Sequence, residues 1–456
     1  MRETVVKTEE FKDLPLGKIP KDWEIVSLKN EINILHGYAF EGEYFADEPP
    51  GDVLLVPGNF HRDGGLYFDE NNTKYYRGLI PDGTVLEKGE LLIVMTDLSP
   101  RTLILGRVVL LELPFRVLHN QRIGKIVLKL PNTWDKRFLL LVMNSDRVSR
   151  NIISNATGTT VRHTSPDRII ANVVPKPVVE EQSKIADILH SIDSTIAHTS
   201  SIIAKLKQMK AGLLHDLLTR GLDENGELRD AIGHPEQFKD SPLGRIPKDW
   251  EVDKFEKLAE AIDPQPDHRA PPEVNDGEPY IGVGDFRPDG SIDFNGCRKV
   301  SSAAVTKQQQ RFSIEPGDII FGKIGTIGLP KFLTQIGRRY ALNANTVLIK
   351  PRGCASFVMW LLESNFVEQQ IQFETHSTSQ PAFGILRIRA MLVPIPKPEE
   401  QIRIAAVLDV HDSRIRTEEA YRDKLKLQKQ GLMHDLLTGK VRVQDADKFT
   451  PASDKV

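Results

Sequence analysis

A phrase written twice constrains this chain more than anything else in it. Residues 11–24 read FKDLPLGKIPKDWE and residues 238–251 read FKDSPLGRIPKDWE, identical at twelve of fourteen positions. A second pair follows at a different offset, VPKPVVEEQSKIADIL (174–189) against VPIPKPEEQIRIAAVL (393–408). At that same offset GLLHDLLT (212–219) is matched by GLMHDLLT (431–438). Each copy begins with the tryptophan phrase, runs through a long segment unlike its counterpart, and ends in a like segment. The unlike segments show little mutual similarity. Two copies of this length are not a solenoid; they are a duplicated two-part module, which implies an internal pseudo-two-fold repeat.

The like end segment has the period of a helix that needs a partner. No proline occurs from Glu181 to Thr219, and apolar residues fall at Ile185, Leu189, Ile192, Ile196, Ile203, Leu206, Leu213 and Leu217. Thr199 and Lys210 fill the gaps in a strict four-three spacing, which is a heptad seam. Such a helix would extend about 58 Å at 1.5 Å per residue. Glu180 and Glu181 sit in its first turn, where the helix dipole favours acids, and Gly221 stands where a C-cap is expected. The second copy keeps the seam at Ile404, Leu408, Ile415, Leu425, Leu432 and Leu436, and is polar at His411, Glu418, Arg422 and Lys429. The polar, Gly-containing linker RGLDENGELRDAIGHPEQ is most economically spanned if the second module starts near the far end of the first helix. The two helices are therefore expected to pair antiparallel.

The variable segments read as mixed α/β domains. Strand patterns in the first are DVLLVPGNF (52–60), LLIVMTDLS (91–99), RVVLLEL (107–113) and KIVLKL (125–130), followed by a helical stretch over 135–154. The second has EPYIGVGDF (278–286), DIIFGKIGTIG (318–328) and NTVLIK (345–350), then a helical stretch over 355–373. A similar order of elements predicts one fold with two different surfaces. Each segment ends in a polar run, SNATGTTVRHTSPDR (154–168) and ETHSTSQPAFG (374–384).

Composition narrows the function classes. No apolar run approaches the ~20 residues that cross a bilayer, and the opening MRETVVKTEEFKD lacks the apolar core of a secretory signal. Two cysteines, Cys297 and Cys354, provide neither a disulfide framework nor a cysteine zinc site, so a cytoplasmic location is expected. A net charge of −3 argues against a free-standing, nonspecific DNA binder. No catalytic constellation is legible. The near P-loop GDIIFGKI (317–324) has Ile324 where Ser or Thr is required, and its DIIF reads as a strand. DEPPGD and RAPPEV lack the form of a methyltransferase motif, which would read Asn/Asp-Pro-Pro-aromatic. His215 and His434 lie in the last turns of the helices without companion histidines, and are expected to face solvent or a partner.

A duplicated variable domain introduced by PLGxIPKDWE, followed by P-x-P…EQ…I and a long helix ending GLLHDLLT, resembles the specificity subunit of Type I restriction–modification systems. The resemblance covers essentially the whole chain. It implies an α+β protein: two similar mixed α/β target recognition domains joined by two long antiparallel coiled-coil helices. Residues 1–178 would form the first recognition domain, with its clip at 11–24, and 179–220 the first spacer helix. Residues 221–395 would form the second domain, with its clip at 238–251, then 396–438 the second helix and 439–456 a tail. The family's partners are double-stranded DNA with a bipartite site, two methyltransferase (modification) subunits, and restriction (helicase–nuclease) subunits held through the methyltransferase core. The chain itself is expected to catalyse nothing and to bind no cofactor; S-adenosylmethionine, ATP and Mg belong to partner subunits. The competing reading is a scaffold whose variable domains bind protein.

DNA readers are expected on polar side chains in the variable loops, Arg and Lys for guanine, Asn and Gln for adenine. In the first domain these are Asn59, Arg62, Arg101, Asn120, Gln121, Arg122, Thr157, Thr159, Thr160, Arg162 and His163. In the second they are Arg287, Lys323, Thr326, Asn343, Asn345, Ser377, Thr378, Ser379 and Gln380. Phe60, Tyr67 and Phe286 are expected to pack rather than stack on bases. The tryptophan phrase is expected to be a rigid clip, with Trp23 and Trp250 buried, that ties the start of each domain to the helices.

Overall fold

The structure, a computed structural model, describes residues 11–14, 17–266, 269–334, 337–375 and 382–443. The chain divides into two compact units, Met1–Ala197 with Asp423–Val456, and His198–Arg422. Among the described residues no helix is long and apolar enough to cross a membrane.

In the first unit a four-stranded antiparallel sheet runs in the order Val108–Leu110, Leu91–Val94, Ile123–Leu128, Ile32–His36. Leu91–Val94 is a strand without polar alternation because both its faces are covered. Leu91 and Ile93 meet a core that holds Trp23, Phe138 and Ile185, while Leu92 and Val94 meet another that holds Phe60 and Val117. A second sheet, of five short strands, carries the parallel pair Asp52–Leu55 and Val117–His119. The second unit repeats the plan. Its four-stranded sheet runs Ala259–Ile262, Thr346–Pro351, Ile319–Gly322, Gly328–Phe332, and its small sheet pairs Glu273–Ile281 in parallel with Ala341–Leu342. Ile319 and Phe321 face one core and Ile320 the other. The IIFG of the near P-loop is thus a buried strand.

Each helical stretch expected as one rod is two helices. Lys136–Met143 and Asp146–Ser154 are separated where the Asn144 side chain leaves the helix: its Nδ2 donates to Val108 O at 2.8 Å, and its Oδ1 accepts from Val108 N at 2.9 Å. Ala355–Leu362 and Asn365–Thr375 are separated at Glu363–Ser364.

The long helices are Val179–Thr219 and Pro398–Leu437. Each contributes one half to each unit, and within each unit the N-terminal half of one meets the C-terminal half of the other, so they pair antiparallel. In the first unit Lys429 Nζ is 2.6 Å from Asp193, and Ile185, Leu189 and Leu436 share a core. In the second, Lys210 Nζ is 2.8 Å from Asp412, Lys207 Nζ is 2.6 Å from Glu419, and Leu217, Ile404 and Leu408 share a core. Every seam residue named above is buried or half-buried. Lys210, a polar gap in the heptad, also lies 4.8 Å over the Trp360 ring. Burial opposes ionisation of Asp412, but Lys210 and Arg416 hold its carboxyl below the usual range.

The duplicated phrase is a joint. In each copy a two-stranded hairpin (Phe11–Leu14 with Gly17–Pro20, Phe238–Ser241 with Gly244–Pro247) leads to the tryptophan. Trp23 Nε1 donates to Glu181 Oε2 at 3.1 Å, and Arg442 binds both Glu181 (Nε to Oε1, 2.9 Å) and Asp22 (2.7 Å). Trp250 Nε1 donates to Glu400 Oε2 at 3.0 Å, and Arg229 binds Glu400 at 2.6 Å and Asp249 at 3.3 Å. Glu181, read from sequence as a partner of the helix dipole, and its counterpart Glu400 are the buried acceptors that tie each domain's entry to the start of its own helix. The arginine arrives each time from just past the end of the other long helix. Gly439 (φ +67°) and Gly221 (φ +65°) make that turn possible: a Cβ on Gly221 would lie 2.5 Å from the Trp250 ring, and one on Gly439 would run into Pro20.

Candidate nucleic-acid interface

Parallel strands end on the same side, and in both units that is where the candidate readers gather. In the first unit Leu55 lies opposite His119. Two turns leave from there. One begins at Val56, and Pro57–Asn59 form a single 3₁₀ turn. The other is Asn120–Arg122, where Asn120 Oδ1 accepts from Arg122 N at 2.9 Å. Gln121 N donates to Tyr38 O, Met95 N to Arg122 O, and Thr164 N to Met95 O. These bonds bring the polar run 154–168 to the same edge, where Thr96 Oγ1 and His163 Nδ1 are hydrogen-bonded at 3.1 Å. Beneath the edge, burial holds the His119 imidazole below its ordinary pKa, and its Nε2 donates to Ile123 O at 2.9 Å.

The second unit builds an equivalent edge from different residues. Ile281 lies opposite Leu342. Asn343 Oδ1 accepts from Asn345 N at 3.0 Å. Lys323 N donates to Asn345 O and Phe383 N to Lys323 O, bond for bond the pattern around Met95. HNQRI (119–123) and LNANT (342–346) therefore occupy one position in two copies of a fold.

Side-chain placement sorts the candidates. Arg62, Arg101, Gln121, Arg122, Thr157, Thr159, Thr160, His163, Arg287, Thr326 and Asn345 are exposed. Five others have side chains engaged within the fold. Asn59 is fully buried; its Oδ1 accepts from Val56 N and its Nδ2 donates to Asn72 O. Asn120 and Asn343 use their side-chain oxygens to close the turns just described. Arg162 is half-buried, and its guanidinium donates to Gly158 O at 2.9 Å and Ile153 O at 3.3 Å, which shapes the polar run. Lys323 is buried, with Nζ 2.7 Å from Asp263 Oδ2. Ser377, Thr378, Ser379 and Gln380 lie outside the described residues. Phe60 is buried and Phe286 packs against the second unit's smaller core, but Tyr67 is exposed and meets the His61 ring edge-on at 5.6 Å.

Two features escaped the sequence reading. Tyr38, exposed beside Gln121, has no sequence signal that separates it from a core tyrosine. The other is a third repeated phrase inside the unlike segments. GNFHRDGGLYF (58–68) and GDFRPDGSIDF (284–294) share five of eleven positions, and both form a 3₁₀ turn followed by a tight loop. The variable segments are thus more alike than expected. Among the described residues no cluster of His, Cys, Asp and Glu is arranged to hold a metal ion.

Comparison with known proteins agrees with this arrangement. The family model described as Type I restriction modification DNA specificity domain matches residues 20–208 and again 247–427. The MjaVIII specificity subunit of a Type I restriction enzyme from Methanocaldococcus jannaschii is 24% identical over 460 residues, covering 96% of this chain and 97% of that one. The EcoBI specificity subunit from Escherichia coli is 26% identical over 405 residues, covering 85% and 79%. The fold is shared with the crystal structure of a Type I restriction–modification S subunit from M. genitalium, with TM-score 0.54, 14% identity, and 91% and 96% of the two chains covered. It is shared too with a chain from a structural study of Type I R-M complex assembly, with TM-score 0.52, 15% identity, and 93% and 100% covered.

Proposed function

Because this chain belongs to the Type I restriction–modification DNA specificity family, we propose that it is the subunit that reads DNA sequence for a methyltransferase and nuclease complex. Each unit reads one half of a bipartite, asymmetric site. The observation that carries this reading is the pair of equivalent edges: the same parallel strand ends and Asn-closed turns, presenting Gln121 and Arg122 in one unit and Asn345 in the other. One scaffold with two sets of exposed donors and acceptors suits two different half-sites.

The long helices set the spacing between half-sites and dock two methyltransferase subunits, to which restriction subunits attach. The chain performs no chemistry. S-adenosylmethionine, ATP and Mg are held by the partners, which also supply much of the phosphate grip that a near-neutral chain lacks. The purified chain with S-adenosylmethionine and its cognate DNA is expected to transfer no methyl groups. Addition of the modification subunits should start methylation of one bipartite motif. Methyl transfer by the chain alone, or a modification complex equally active without it, would contradict this function.

A further inference from the structure

We propose that the loops Gly58–Phe68 and Gly284–Phe294 are one recognition device used twice, a shared frame that holds a variable tip whose side chains select bases in each half-site. The proposal rests on the DNA-reading function above and assigns a part of the specificity to a named element.

The frame is the same in both units and is anchored. Asn59 Oδ1 accepts from the backbone N–H three residues earlier at 2.8 Å, and Asp285 Oδ2 does the same at 2.7 Å. Phe60 bridges to Leu66, and Phe286 to Ile292. Phe60, Leu66 and Phe68 pack on one core, and Phe286, Ile292 and Phe294 on its counterpart. His61 N donates to Gly65 O and Gly64 N to His61 O; Arg287 N donates to Ser291 O and Gly290 N to Arg287 O. Gly64 and Gly290 hold φ of +107° and +83°, which a side chain would strain.

The tip is where the copies differ. His61, Arg62, Gly65 and Tyr67 stand where Arg287, Pro288, Ser291 and Asp293 stand in the second unit, and none of these side chains is buried. Apart from two conservative exchanges in the frame, Asn59 for Asp285 and Leu66 for Ile292, divergence falls on groups that water, or a ligand, can reach. Placement supplies the ligand. Each loop starts at the strand end beside the Asn-closed turn; Gly282 lies so close to Asn343 that a Cβ there would collide with the Asn343 amide. Loop and turn thus form one surface with the readers already described.

The tip chemistry suits base edges in the major groove. Arg287 Nη2 is 2.9 Å from Asp293 Oδ1, which orients the guanidinium and leaves further N–H groups to meet guanine O6 and N7. In the first unit the exposed His61, Arg62 and Tyr67 occupy the same places with a different donor pattern. Asp293 is on this account a positioning residue, not a reader.

The test moves the second tip onto the first frame (His61→Arg, Arg62→Pro, Gly65→Ser, Tyr67→Asp), assembles the chain with its modification subunits, and maps the methylated motif. The expected result is a changed or relaxed base preference in the first half-site only, by about 5- to 150-fold at the affected position. The second half-site should keep its sequence. Arg287→Ala, which leaves the frame untouched, should relax one position of the second half-site, and Asp293→Asn the same position to a smaller degree. An unchanged motif at undiminished efficiency in Arg287→Ala, or an equal loss on every sequence, would overturn the proposal, since the loop would then be a surface turn or a phosphate contact. If the motif resists these changes but follows an exchange of the whole second domain, the loop proposal fails and the DNA-reading function stands.

Discussion

Replacing Trp250 by alanine is expected to destabilise the second unit by about 3–5 kcal/mol, the range for truncating a large buried aromatic side chain. The side chain is fully buried in the core that contains Phe255, Phe357 and Ile404. Its removal also takes one donor from Glu400, whose carboxylate is itself buried. Arg229 and Leu222 N would still bind that carboxylate, so the cost is mainly cavity and lost packing. Trp250→Phe separates the two contributions. It retains most of the volume and loses only the indole N–H bond to a charged acceptor, worth about 1.5–3 kcal/mol. Denaturant unfolding, with hydrogen exchange followed over residues 244–262 and 392–408, reads both variants. Loss of less than about 0.5 kcal/mol in Trp250→Ala, the ordinary size of a surface change, would show that the duplicated phrase is not a structural joint.

The second large effect is expected at Lys323. Its ammonium and the Asp263 carboxylate lie 2.7 Å apart with little access to water. Lys323→Ala would strand Asp263, and breaking one partner of a buried pair costs about 3–5 kcal/mol. The double variant Lys323→Met with Asp263→Leu removes both charges and should recover most of that loss, because paired apolar groups are often no worse than a buried ion pair. A Lys323→Ala chain of unaltered stability that methylates one half-site poorly would instead restore Lys323 as a DNA contact.

Lys323 also shows where sequence reasoning stops. A lysine after a buried strand reads as a cation offered to solvent; only the strand Ala259–Ile262, paired two strands away, brings Asp263 to it. Asn59 misleads in the same way, since nothing local says that its amide closes a turn onto Val56. The heptad of the long helices was legible because its period is local and strict. Antiparallel pairing was the more economical course for the linker, which could also have been stretched back along a parallel pair. Burial of the two tryptophans was legible from the repeat, but their acceptors were not: Glu181 and Glu400 lie about 150 residues downstream and look like ordinary first-turn acids. The break at Asn144 was hidden because a side chain that bonds strand 108–110 is indistinguishable, in sequence, from one on a helix face. The loop phrase was missed because its shared positions are Gly, Phe and Asp scattered among residues that differ, a pattern with meaning only once both copies are seen to form the same turn.

The central claim is that two independent readers share one frame. Its most direct measurement replaces residues 255–391 with the corresponding segment of another specificity subunit. The strands Glu251–Lys254 and Leu392–Ile395, which pair at the joint, and both long helices stay in place. The methylome of cells that carry the chimera with its modification subunits should show one half of the bipartite motif exchanged, with the other half and the spacer length kept. A motif in which both halves change together, or neither does, would contradict the account.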